Sequence, residues 1–258
     1  MCLLVLAWQV HPRYRLVLAA NRDEFHERPA AALAPWPPPD EFLAGRDLRA
    51  GGTWLALGTR TRRFGVVTNF RDLQPPEPGA PSRGLLIPQF LRAEAAAGEY
   101  FAALEPRAAS YAGFNLLLAD EHSLWYGSNR ATPFARPLPP GVYGLSNERL
   151  DTPWPKLERV RRGFRAWLAQ GGEGAAELFE LLADRTRVSD DGELPATGVP
   201  REWERILSAP FVLHPDYGTR SSSVLLLARD GAAYLAERRF GPDGACRGES
   251  AFELPAGG

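Results

Sequence analysis

Two apolar runs near the start of the chain, Cys2 to Val10 and Leu16 to Ala20, are separated only by the short stretch His11-Pro12-Arg13-Tyr14. Pro12 pre-sets the backbone for a turn, and runs this short are strands rather than helices. The chain must therefore open on a β-hairpin. A turn centred between Pro12 and Arg13 sets Cys2 opposite Asp23, and directly opposed residues project from the same face. A slip of one residue would put Arg22 or Glu24 there instead and flip every side chain to the other face.

The position of Cys2 carries chemical weight. A small residue after Met1 lets an aminopeptidase remove the methionine, which would leave Cys2 as the amino terminus. An α-amino group has a pKa of about 7.7–8.0 and can act as a base near neutral pH. Nucleophile and base then sit on one residue. The plainer alternative is a small buried hydrophobe beginning a strand. The polar cluster Asn21-Arg22-Asp23-Glu24, which ends an otherwise apolar strand, favours the chemical reading.

Composition narrows the class. A net charge of −1 exerts no global pull on nucleic acid or anionic membrane. Lys156 is the only lysine among many arginines, a coding bias rather than a binding signature. Two cysteines, Cys2 and Cys246, make neither a metal spacing nor a disulfide framework, so a reducing, cytoplasmic setting is expected. The apolar start lacks a charged leader and is interrupted at His11, unlike a signal peptide. No stretch approaches the ~20 apolar residues of a membrane span. No metal or cofactor is expected. His11, His26, His122 and His214 are scattered, each an isolated candidate for a haem ligand.

Further along, residues 28–40 are proline- and alanine-rich and read as loop, with a short strand at 42–44. Residues 53–57 and 64–69 form a second hairpin whose apolar strands suit a sheet covered on both faces. Residues 74–82 are loop, 83–97 a helix, and 100–104 a short helix. Residues 112–119 and 123–126 make a third hairpin. The clearest helix runs from Trp154 to Ala169, with Leu157, Val160, Phe164, Trp167 and Leu168 on one face. Gly171-Gly172 stops it. Arg159, Arg161, Arg162 and Arg165 crowd its other sides, a solvated face or a site for phosphates such as those of coenzyme A. A shorter helix follows at 175–183, helical turns at 203–207, and a last hairpin at 221–228 and 232–237 around Arg229-Asp230-Gly231. Neither a repeat nor a linker divides the chain, which predicts one α+β domain over 1–258.

Thiolate attack on an acyl carbon needs a donor for the oxyanion. Asn69 and Asn147 both stand where apolar strands give way to loops, positions where an asparagine also caps its own turn. Arg220 precedes the last long apolar strand. A guanidinium beside Cys2 would favour thiolate, although arginines flanking strands are ordinary in this chain.

The segments Met1-Cys2-Leu3, Asn21-Arg22-Asp23-Glu24-Phe25, Gly51-Gly52-Thr53-Trp54, Thr68-Asn69-Phe70, Gly144-Leu145-Ser146-Asn147 and Gly218-Thr219-Arg220-Ser221-Ser222 occur in this order across nearly the whole chain. Together they resemble the NRDE family, also called the transport and Golgi organisation protein 2 family. That family is similar in layout to N-terminal nucleophile hydrolases of the choloylglycine hydrolase and penicillin V acylase branch. The resemblance implies a four-layer αββα sandwich of two antiparallel sheets, with Cys2 as nucleophile on the first strand. It implies Asp23 holding the amine, Asn147 as the oxyanion donor, Asn69 as a substrate-side asparagine, and Arg220 near the cysteine. It also implies two functions: hydrolysis of an amide or thioester acyl substrate through an acyl-enzyme, or non-catalytic handling of haem or acyl-coenzyme A. The hydrolase branch separates its arginine and aspartate by two residues, whereas Arg22 and Asp23 are adjacent. Neighbours on a strand face opposite ways, so they cannot both face Cys2 unless the strand bulges or ends.

Overall fold

A computed structural model describes residues 2–72 and 77–256. Met1, whose removal the amine reading requires, and part of the loop expected at 74–82 lie outside the described residues. In chain order the strands are β1 (Cys2–Trp8), β2 (Tyr14–Phe25), β3 (Ala30–Pro35), β4 (Phe42–Asp47), β5 (Leu55–Gly58), β6 (Phe64–Asn69), β7 (Phe114–Ala119), β8 (Leu124–Ser128), β9 (Ala135–Pro137), β10 (Gly141–Leu145), β11 (Tyr217–Ala228), β12 (Ala233–Phe240) and β13 (Cys246–Leu254). The helices are α1 (Leu86–Arg92), α2 (Ala97–Leu104), α3 (Pro155–Ala169), α4 (Ala176–Leu182) and α5 (Arg201–Ile206). This is the expected α+β class, with two antiparallel sheets. One is ordered β10-β1-β2-β11-β12-β13 and the other β3-β4-β5-β6-β7-β8-β9.

The chain groups into two compact units. One holds residues 1–27, 140–146 and 150–258, and the other residues 28–139 and 147–149. In the first, the alternate residues Leu3, Val5 and Ala7 of β1, Val17 and Ala19 of β2, and Val224 and Leu226 of β11 pack with α3 and α4 through Leu157, Phe164, Leu178 and Leu182. The opposite alternation of β1 and β2, Leu4, Leu6, Leu16 and Leu18, is buried as well. Helix α3 begins at Pro155, where a missing N–H costs nothing. It stops at Gly171, whose φ of +67° suits glycine, while the N–H of Gly172 returns to the carbonyl of Trp167. Its arginines are a solvated face in part: Arg162 and Arg165 are exposed, but Arg161 is buried and paired with Asp151 and Glu158.

In the second unit α1 and α2 cover one face of the seven-stranded sheet, with Leu86, Phe90 and Phe101 against Ala56, Val67, Leu116 and Leu118. Two expectations change here. The proline- and alanine-rich stretch at 28–40 contains β3, an edge strand paired among the described residues to β4. An edge position tolerates Pro35, because one side of such a strand needs no hydrogen bonds. The helix expected over 83–97 ends at Arg92 and resumes at Ala97. Between them the carbonyls of Ala93 and Ala95 accept from the Arg63 guanidinium, the latter at 2.6 Å, instead of from a continuing helix.

The first hairpin forms as expected, but its register is shifted by one. Cys2 pairs with Arg22, not Asp23, and Trp8 with Leu16. The turn is centred on Pro12 itself. Gln9 adopts a left-handed φ of 55° and its N–H meets the carbonyl of Arg15 at 2.7 Å. The buried His11 ring caps the turn, Nδ1 accepting from the N–H groups of Arg13 and Tyr14, both at 3.2 Å. With both faces of the hairpin apolar, burial could not select the register, and the cap decides it.

Candidate functional site

Cys2 begins β1, flanked on one side by β10 and on the other by β2. Its carbonyl accepts from Ser146 Oγ at 3.0 Å, which ties the first strand to the end of β10. Arg22 is directly opposite Cys2, so guanidinium and thiol rise from one face, with Arg22 buried and its Nη2 3.6 Å from Glu24 Oε2. Burial pushes the Cys2 thiol above its ordinary range. The nearby Asp23 carboxylate adds to the rise and Arg22 opposes it. The resting group is thus a thiol, and attack requires a base.

β2 continues through Phe25, and its pairing with β1 runs without a shift as far as Cys2–Arg22. Asp23 accordingly turns to the face opposite Arg22, and the expectation that Cys2 and Asp23 are cross-strand partners is corrected. Asp23 is buried. Its Oδ1 accepts from Thr219 Oγ1 at 2.7 Å, and its carbonyl accepts from the Tyr217 hydroxyl at 3.0 Å. The Asp23 charge nonetheless reaches Cys2, where it raises the pKa of the thiol.

The other unit carries the two asparagines. Asn147 is fully buried and donates both hydrogens of its amide to Asn69, to the carbonyl at 3.0 Å and to Oδ1 at 2.7 Å. Its own carbonyl accepts from the Arg71 N–H at 2.6 Å. Asn69, at the end of β6, is half-buried. Asn147 thus fixes the orientation of Asn69 and leaves the Asn69 amide nitrogen to point elsewhere. Asn115 holds the same segment: Nδ2 donates to the carbonyl of Glu148 at 2.9 Å, and Oδ1 accepts from the Tyr126 hydroxyl at 2.8 Å.

The family model described as Transport and Golgi organisation 2 matches residues 1–242. The chain belongs to the Transport and Golgi organisation 2 family. A Bos taurus protein named Transport and Golgi organization protein 2 homolog is 37% identical over 260 residues, covering 92% of each chain. The Homo sapiens homolog is 32% identical over 263 residues, again covering 92% of each. The Drosophila melanogaster Transport and Golgi organization protein 2 is 28% identical over 264 residues, 92% of this chain and 91% of its own.

In this Transport and Golgi organisation 2 member, Arg220 occupies a bulge in β11, between the pairs Thr219–Asp23 and Ser221–Arg22. Its Nη1 donates to the carbonyls of Phe25 and His26 at 2.9 and 3.1 Å. Burial, and then the Arg22 charge, lower its pKa from the usual arginine value. The ionisable side chains that perturb the Cys2 thiol are Asp23, Arg22 and Glu24. Arg22 is therefore the guanidinium paired across from the thiol, and Arg220 braces the end of β2. The histidines are dispersed: His11 caps the first turn, His26 Nε2 meets the His214 carbonyl at 3.1 Å, and His122 is exposed. Among the described residues no group of three His, Cys, Asp or Glu could hold a metal, and no helix is long and apolar enough to cross a membrane.

The sequence did not reveal the supporting roles of Ser146, Thr219 and Asn115. Asn115 alone carried a usable signal, as the one polar residue within the apolar strand β7. The others lie in runs whose pairing depends on the β11 bulge or on the β10 register.

Proposed function

We propose that this protein is an N-terminal-cysteine hydrolase of amide or thioester acyl groups, working as a single domain in the cytoplasm after removal of Met1. The observation that carries the reading is the start of β1: a half-buried thiol directly opposite a buried guanidinium, with the buried Asp23 carboxylate near enough to act on the thiol. Neutral α-amine accepts the thiol proton as Cys2 Sγ attacks the acyl carbon. The same proton passes to the departing amine or thiolate, which leaves a thioester on Cys2. Water then attacks, its proton is taken by the amine, and collapse frees the acid and regenerates the thiol. Asp23 orients the amine, and Arg22 stabilises charge on sulfur.

Cys2→Ala tests this, since it keeps an N-terminal amine and removes only sulfur. Acyl amides and acyl thioesters of graded length are assayed with wild type and variant, with haem and acyl-coenzyme A binding measured alongside. Hydrolysis should fall by several orders of magnitude in the variant, while binding and melting temperature change little. Tight binding without any wild-type hydrolysis would make the protein a carrier.

A further inference from the structure

We infer that Ser221 is a specificity-determining residue of the Cys2 site and that it selects acyl groups bearing a hydrogen-bonding substituent along the chain. The inference rests on the hydrolase reading. Cys2 pairs with Arg22 across β1 and β2, and Arg22 pairs with Ser221 across β2 and β11. The three residues form one row across three strands and project from the same face. With strands about 4.8 Å apart, the serine backbone lies roughly 10 Å from that of the cysteine, with Arg22 between them.

The row exists because of the bulge at Arg220. Thr219 pairs with Asp23 and Ser221 with Arg22, and Asp23 and Arg22 are neighbours that face opposite ways. Regular alternation would put Thr219 and Ser221 on a single face, so the extra residue turns Ser221 over to the side of Cys2. Bulges beside active sites commonly re-aim a side chain in this way.

The hydroxyls around it show what is unusual. Thr219 Oγ1 donates to Asp23 Oδ1 at 2.7 Å, and Ser222 Oγ donates to Asn21 Oδ1 at 2.5 Å. Ser221 is 4% exposed, and its Oγ is buried without a hydrogen-bond partner among the described residues. Leaving a buried hydroxyl unsatisfied costs about 1–3 kcal/mol, a cost that a substrate group bonding to Oγ removes. The next row on the same face holds Leu4, Ala20, Ser223 and Glu237, and only the row beyond it, Leu6, Leu18, Leu225 and Leu235, is wholly apolar. An acyl chain anchored at Cys2 and lying across Arg22 therefore meets the unpartnered Ser221 hydroxyl. That arrangement suits an acyl chain carrying a carbonyl or hydroxyl that reaches Ser221 Oγ, and it discriminates against an unsubstituted one.

The test uses the full chain and a series of acyl thioesters in which one keto or hydroxyl group is walked along a straight chain, with the unsubstituted parent as reference. Wild type should prefer one position over the parent by about tenfold in kcat/KM. Ser221→Ala should remove that preference, bringing the substituted thioesters to the kcat/KM of the parent, while Ser221→Thr should retain it. Ser221→Cys, close in size and a poor hydrogen-bonder, repeats the comparison should the alanine variant melt early. The same preference in wild type and in the folded Ala or Cys variant overturns the role of Ser221 and leaves the hydrolase reading standing. No wild-type turnover across the series overturns the hydrolase reading and this inference with it.

Discussion

Asn21 and Arg22 are neighbours on β2, yet their surroundings differ in kind. Asn21 points to the helix-covered face and is saturated. Its Nδ2 donates to the carbonyls of Leu182 and Pro210 at 2.8 and 3.0 Å, and its Oδ1 accepts from Ser222 Oγ at 2.5 Å. Arg22 points to the other face, beside the thiol of Cys2 and in the row of Ser221. Alternation of a single strand thus divides one polar motif into a structural half, which staples the end of α4 and the loop before β11, and a half whose groups face the thiol. A cluster of polar residues at a strand end is therefore two sites, not one, and each can be broken separately.

The largest expected effect falls on the structural half. Asn21→Ala strands two carbonyls and a serine hydroxyl in a buried setting and should cost roughly 2–4 kcal/mol of stability. Chemical denaturation measures the loss, and kcat per folded molecule should stay close to wild type. A large kcat loss in the folded fraction would show that the two faces are not separable.

Asp23→Asn probes the boundary of that division, because Asp23 lies on the Asn21 side of the strand while its charge acts on the Cys2 thiol. Asn keeps an acceptor for Thr219 Oγ1 but removes the negative charge beside the proposed amine. A neighbouring carboxylate favours the protonated amine and so raises its pKa above the ordinary 7.7–8.0. Hydrolysis, which needs the neutral amine, should rise with pH above that range in wild type. The rise should move to lower pH by roughly one unit in Asp23→Asn, as a kcat/KM pH profile would register. An unmoved profile would remove Asp23 from the chemistry.

The smallest effect concerns the turn that sets the register. Burial lowers the pKa of His11 from 6.5, and its Nδ1 must stay unprotonated to accept from two backbone N–H groups. The unfolded chain therefore takes up a proton more readily than the folded one. Stability from this group is complete above about pH 6.5 and declines as pH falls below it toward the depressed folded value. His11→Asn, which offers an acceptor that does not titrate, should flatten that decline in melting temperature between pH 6.5 and 5.

Most of the architecture was legible in the residues. Apolar runs punctuated by His11-Pro12-Arg13, Asp120-Glu121-His122 and Arg229-Asp230-Gly231 marked three hairpins that form, and the periodicity of Leu157, Val160 and Phe164 located α3. Three features were not legible, each for a physical reason. The register of the first hairpin depends on a histidine cap and a left-handed Gln9, neither of which alters the hydrophobic pattern. Strand β3 is an edge strand whose alanines and proline carry little β-propensity. The bulge at Arg220 leaves no trace in Thr219-Arg220-Ser221-Ser222, yet it decides which hydroxyl faces Cys2. Among the candidate site residues, types were easier to name than roles. Arg22 rather than Arg220 is paired across from the thiol, and Asn147 spends its amide on Asn69.

The central claim is that Cys2, freed of Met1, is the acylated residue. Brief incubation with an electrophilic acylating probe such as a β-lactone, followed by intact-mass measurement and peptide mapping, tests it most directly. The account predicts a chain lighter by one methionine that carries a single acyl group on Cys2, with exposed Cys246 unlabelled and no adduct in Cys2→Ala. Retained methionine together with labelling of Cys246 alone, or equal labelling of wild type and variant, would contradict it.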